Sequence, residues 1–233
     1  MVPGSFHMQG RDWQEYTAST NSNWVWRRIC RVKQDLAAGY SQGIWKVQPS
    51  GYTPAGCYEW LRGARTKVDW YADVWDNWNP PKHRFMGWLI AHQSLHTNSR
   101  LRSFGMDVDG LCWLCGLAEE TQQYLFFDCA FSRRVILSVN VRAGIKLPES
   151  NVMHWCIHHP GLKIQRRVMN ALVMSTMYQV WQQRNKSRVE QMVTRPILVA
   201  QMIIDDIKKR IHERDKSKLK THELDWLGNL KFM

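Results

Sequence analysis

The chain predicts a mostly α-helical fold carrying a small knuckle-like insertion around residues 112–129. Three observations lead there. Val168, Met169, Leu172, Val173, Met177, Val180 and Trp181 recur at helical spacing and make one broad apolar stripe. Prolines and glycines fall where helices should start and stop, as at Gly39, Pro54 and Asn79-Pro80-Pro81. Cys112 and Cys115 stand two residues apart with Cys129 a short loop away, a spacing that lets thiolates converge on one metal ion.

Taken in order, residues 1–23 hold few apolar positions and read as a loosely ordered segment. Residues 24–46 read as a helix in which Trp24, Trp26, Ile29, Cys30 and Val32 interleave with Arg27, Arg28 and Arg31. Pro54 suits the first turn of a second helix carrying Cys57, Tyr58, Trp60 and Leu61. Beyond the Pro80-Pro81 break, Phe85, Trp88 and Leu89 share one helix face, and the tryptophans at this periodicity read as core. Lys82, His83 and Arg84 open that helix, placed either to meet a phosphate at its N-terminus or as a solvated face.

His96-Thr97-Asn98 opens another helix, with Thr97 or Asn98 as its cap. Asp107-Val108-Asp109-Gly110 resembles the start of a calcium loop but lacks the later acidic ligands, so it reads as a turn into the knuckle. Tyr124-Leu125-Phe126-Phe127 is an apolar run that packs the knuckle onto the helices. The organisation is then a helical region over 24–145, a linker over 146–161 and a C-terminal helical region over 162–233. The last helix, through Ile197, Ile204, Ile207 and Ile211, offers either a seam for a protein partner or a face packed back on its own domain. His154, Cys156, His158 and His159 form a second, weaker metal candidate with no matching partner motif.

Composition narrows the function. The 233 residues are 44% hydrophobic and include 13 tryptophans, ample for a core. Six cysteines are too few for a disulfide scaffold, so a reducing intracellular setting, nucleus or cytoplasm, is expected. No apolar run approaches the roughly 20 residues that span a bilayer, and no signal-peptide core opens the chain. The formal net charge of +12 favours polyanions, RNA or DNA. The basic residues cluster at Arg27, Arg28 and Arg31, at Lys82 and Arg84, at Arg133 and Arg134, at Lys163, Arg166 and Arg167, and at Lys208 to Arg210. A Tyr-x-Asp-Asp polymerase motif, a phosphate loop, a nucleophile elbow and a His-Glu-x-x-His helix are all missing, so a noncatalytic role is expected.

Residues 75–134 run Trp75, Pro80-Pro81-Lys82, Phe85, Trp88-Leu89, Leu95-His96-Thr97, Arg100-Leu101, Cys112-x-x-Cys115, Glu120-Thr121 and Tyr124-Leu125-Phe126-Phe127-x-Cys129. This order resembles the reverse-transcriptase-associated zinc-binding domain of plant LINE-type non-LTR retroelements. With Trp181-x-x-Arg184-Asn185 the likeness covers roughly residues 24–187. It implies zinc as cofactor, with Cys112, Cys115 and Cys129 as ligands, and a nucleic-acid-binding accessory role beside a polymerase encoded elsewhere. Where the family carries a histidine ligand this chain has Tyr124, whose phenol ionises near pH 10 and is a poor fourth ligand. Three readings stand open. Zinc is held by three thiolates plus water or a substitute such as Asp128 or His96, or it is held weakly, or the site has lost its metal and packing keeps the fold. The competing functions are a structural or protein-interaction scaffold and an inactive retroelement relic.

Overall fold

The computed structural model describes residues 16–41, 58–59, 61–63, 66–158, 161, 163–213 and 220–230, the side chains of 36–41 excepted. Mostly α-helical architecture is what these residues adopt, with one isolated antiparallel bridge, Leu111 to Glu119, and no strand among them. Two compact units divide the chain, Met1–Lys67 and Val68–Met233.

In the first unit, helix α1 spans Trp24–Ser41, two residues past Gly39. Asn23 Oδ1 accepts from the Trp26 N–H at 2.8 Å and closes its first turn. Tyr16, buried just ahead of the helix, packs its ring at 6.2 Å from that of Trp26. Cys30 is buried, whereas Trp24, Ile29 and Val32 are exposed, as are Arg27, Arg28 and Arg31. Pro54 and Cys57 lie outside the described residues.

The second unit is built around one long helix. Its elements are α2 (Tyr71–Val74), α3 (Pro81–Ala91), α4 (Asn98–Ser103), a π turn (Tyr124–Asp128), α5 (Ala130–Ala143), α6 (Val152–His158), α7 (Lys163–Glu190), α8 (Pro196–His212) and α9 (Thr221–Gly228). Helix α7 is buried over most of its length, and α3, α5, α6, α8 and α9 all pack against it. One continuous core therefore joins the helices on both sides of residues 146–161. The Ile204, Ile207 and Ile211 face of α8 lies in this core, while Ile197, Leu198 and Met202 stay exposed. Gly87 lets α3 lie close on α7, since a Cβ there would stand 3.0 Å from Met174 Sδ.

Polar contacts fix the layers. Asp73 accepts from Asn170 Nδ2 at 2.7 Å and lies 3.5 Å from Arg166, and Arg167 pairs with Asp76 at 3.1 Å. Burial raises the Asp73 carboxyl above its ordinary range. The Arg166/Arg167 cluster is thus committed to holding α2 on α7. Arg210 of the Lys208–Arg210 run is likewise interior, bonded to Asp206 and to the Trp78 carbonyl.

The start of α3 corrects the sequence reading twice. His83 is 1% exposed rather than a solvated or phosphate-facing group. Its ring packs 4.6 Å from that of Tyr178, and its Nδ1 stands 3.1 Å from Arg210 Nη2. A neutral ring accepts that guanidinium proton, so Nε2 carries the hydrogen. Phe85 and Trp88 do not join the core. Helix α3 turns His83, Met86, Gly87 and Ile90 inward instead, where Arg210 and Tyr178 receive the His83 ring and Met174 faces Gly87.

Burial, then the Arg210 charge, lowers the His83 pKa from 6.5 to about 4, with Lys82 opposing protonation and Asp206 favouring it. Above pH 6.5 the ring is neutral whether the chain is folded or unfolded. Between 6.5 and 4 the unfolded chain binds the extra proton, so stability should fall as pH drops and level off below 4. Urea denaturation should register a loss of about 3 kcal/mol over that window, and His83→Gln should remove that component of the pH dependence.

Candidate metal centre

The knuckle begins where Asp109 Oδ1 accepts from the Leu111 N–H at 3.0 Å, an Asx turn rather than a calcium loop. Cys112 N–H donates to the Ala118 carbonyl at 2.8 Å and Glu120 N–H to the Gly110 carbonyl at 2.8 Å, closing the loop on itself. Gly116 sits at φ +67°, a left-handed position that favours glycine, and its N–H returns to the Cys112 carbonyl at 2.7 Å. That tight turn brings Cys115 back beside Cys112.

Cys129 reaches them from the π turn. The Cys129 N–H bonds to the Tyr124 carbonyl at 2.8 Å, five residues back. Sγ atoms of Cys112, Cys115 and Cys129 all lie within 4.8 Å of one another, and this is the single group of three or more potential ligands among the described residues. Cys112 and Cys129 are 3.9 Å apart. Zn–S bonds of about 2.3 Å in a tetrahedron place sulfurs about 3.8 Å apart, so the thiol spacing fits a thiolate-bound metal. Cys112 donates to Cys129, which pushes the Cys129 pKa down to about 6 and that of Cys112 upward.

Tyr124 is the finding at this site. Its ring packs against the core, as the apolar run implied, yet its Oη lies 3.2 Å from Cys115 Sγ. The hydrogen bond with Cys115, and then burial, raise the phenol pKa above its ordinary value. Neither substitute ligand joins the cluster. Asp128 and His96 are both exposed, and His96 instead lends its backbone carbonyl to Arg184. Of the second candidate cluster, Cys156 is fully buried while His154 and His158 stack at 4.2 Å on one side of α6; His159 lies outside the described residues.

Beneath the thiols lies a network that sequence reasoning missed. Glu120, fully buried, accepts from Arg184 Nε at 3.0 Å and Nη2 at 2.6 Å. The same carboxylate takes the Asn98 N–H at 3.1 Å and the Trp113 N–H at 3.0 Å. Asn98 is not the α4 cap: its Nδ2 donates to the Leu111 carbonyl at 2.7 Å and its Oδ1 accepts from Trp113 Nε1 at 3.2 Å. Ser187 Oγ donates to the Trp113 carbonyl at 2.6 Å. One ion pair thus joins α4, the knuckle and α7. The signal was present in Glu120-Thr121 and Trp181-x-x-Arg184-Asn185, but sequence gave no reason to pair them across 64 residues.

The residues expected to contact nucleic acid separate into groups. Arg27, Arg28 and Arg31 are exposed on α1, and Arg133 and Arg134 on the first turns of α5, directly after Cys129. Lys82 is exposed beside the Tyr178 ring, and Arg84 is half-buried with Nε on the Asn79 carbonyl at 2.6 Å. None of these seven takes part in an ion pair among the described residues.

Comparison with known proteins agrees with this geometry. Residues 52–135 match the family model for zinc-binding in reverse transcriptase. The match takes in all three thiols, Tyr124, Glu120, Asn98 and the first turn of α5, and it stops short of Arg184. It supports a reverse-transcriptase-type zinc-binding domain over that segment. No curated protein and no solved structure gave a match.

Glu120→Ala should cost about 3–5 kcal/mol in urea denaturation, because it strands a buried guanidinium; Glu120→Gln, which keeps an acceptor, should cost less. Tyr124→His should tighten zinc binding roughly tenfold or more in competition with a chromophoric chelator, and Cys129→Ser should weaken it.

Proposed function

We propose that this chain is a noncatalytic nucleic-acid-binding module, derived from the C-terminal part of a plant LINE-type reverse transcriptase polyprotein. Zinc is the metal that Cys112, Cys115 and Cys129 would hold, with the Tyr124 phenol beside Cys115 where the family places a histidine. The metal's contribution there is structural, a third tie across a loop that Glu120 and Arg184 already hold. The observation carrying the reading is the adjacency of Cys129 to Arg133 and Arg134. Both side chains are exposed and outside every ion pair among the described residues, on the helix that starts at the last thiol. Fixed cations of this kind suit phosphate, and the +12 net charge supplies the long-range attraction.

The module binds RNA or target DNA through phosphate contacts, which position a strand without reading its sequence. A protein-interaction scaffold is less well served, since the Ile204/Ile207 face it would use is interior. No helix among the described residues is long and apolar enough to cross a membrane.

Titration of the protein against oligonucleotides over a salt series should give an affinity that falls steeply with salt. Arg133→Glu with Arg134→Glu should weaken binding to every sequence and lower the log–log slope by about 2. An unchanged slope would remove α5 from the interface, and salt-independent binding would overturn the reading.

A further inference from the structure

A row of rings crosses the outside of α3. Phe85 and Trp88 are 56% and 37% exposed and lie almost parallel, with centroids 5.7 Å apart. Trp88 continues to His92 at 5.1 Å, and His92 meets the edge of Trp70 at 5.5 Å. Phe85, Trp88 and His92 follow i, i+3 and i+7 spacing, so the row is one helix face extended by Trp70. Arg84, four residues before Trp88, flanks it with a cation. Phe85 and Trp88 thus keep a substantial part of their apolar surface in water.

The row ends at a cavity of about 450 Å³, within the size range of small-ligand pockets. Trp70 and Phe126 form part of its wall, and Gln93, Gln122, Gln123 and Asn151 supply amides. Gln122 Nε2 donates to the Ile90 carbonyl at 3.1 Å, which fixes the orientation of the amide. Its Oε1 is buried and accepts no hydrogen bond. Gln93 and Asn151, two of the three non-glycine residues at positive φ among the described residues, both line this cavity, and such strain gathers at binding sites.

A partly aromatic wall and several amides match an unpaired base, which stacks by its face and hydrogen-bonds along its edge. We propose that Phe85, Trp88 and His92 form a stacking track for a single strand of nucleic acid, and that the cavity beside Trp70 and Gln122 receives one of its unpaired bases. The proposal rests on the nucleic-acid reading above and narrows it to single-stranded substrate. Duplex, whose bases are already stacked, would engage only the basic side chains.

The test compares a single-stranded decanucleotide of adenosine with a duplex of equal length, using the full chain. Phe85→Ala removes a mostly exposed ring and should leave the melting temperature unchanged, whereas Trp88→Ala also removes packing and is compared at a temperature where it remains folded. Each should lower single-strand affinity about five- to hundredfold, with duplex affinity and salt slope retained. Trp88→Phe should recover most of the loss, and Gln122→Ala should weaken single-strand binding alone. Equal losses for single strand and duplex, or no loss in the Phe85/Trp88 double variant, would overturn the track while leaving Arg133 and Arg134 as the interface. If the unmodified protein binds neither nucleic acid, the proposal and the function it rests on both fall.

Discussion

The ion pair between Glu120 and Arg184 is the constraint on which the second unit depends. Both side chains are essentially excluded from solvent, 0% and 1% exposed, where a lone charge would be very costly. The cost is met by saturation. Glu120 takes two backbone amides in addition to the guanidinium, and Arg184 also reaches Asn98, Asn185 and the His96 carbonyl. The Arg184 guanidinium further lies 4.9 Å from the Trp181 ring. One backbone donor of α4 and one of the knuckle thus end on a charge held by α7. The loop cannot shift without uncovering it.

This arrangement explains how the thiol cluster tolerates a tyrosine. In small fingers the metal is the main source of folding energy, on the order of 10–16 kcal/mol. Here the loop is shaped by its own hydrogen bonds, by Glu120 and by a core that encloses Leu125, Phe126 and Phe127. The tyrosine at position 124 is accommodated with its ring packed and its hydroxyl against Cys115.

The helical class and the thiol set were legible because both are periodic signals within short windows. Burial on α3 was not. Of Phe85, Trp88 and Leu89, which share a face, only Leu89 packs against the core, while His83, Met86, Gly87 and Ile90 on the opposite face are buried. Which face turns inward is decided by Arg210 and Tyr178, more than ninety positions away, which give the His83 ring its partners. Charge runs were ambiguous for the same reason. Arg166 and Arg133 look alike in sequence, and only the fold places Asp73 beside the first. Of the two cap candidates, Thr97 and Asn98, Thr97 stands at the N-cap position, and the Leu111 carbonyl and the Trp113 indole claim the Asn98 side chain.

The π turn at Tyr124–Asp128 sets a rule of length. An α-helix advances about 100° per residue, and the wider turn adds one residue to the circuit between the Tyr124 carbonyl and the Cys129 amide. The tyrosine hydroxyl and the cysteine sulfur meet the other thiols because of that added residue. Removing any one residue in the interval would swing one of them away, whatever its identity. The segment is therefore permissive in its alphabet and strict in its count, so descent through this centre should show more substitutions than insertions or deletions.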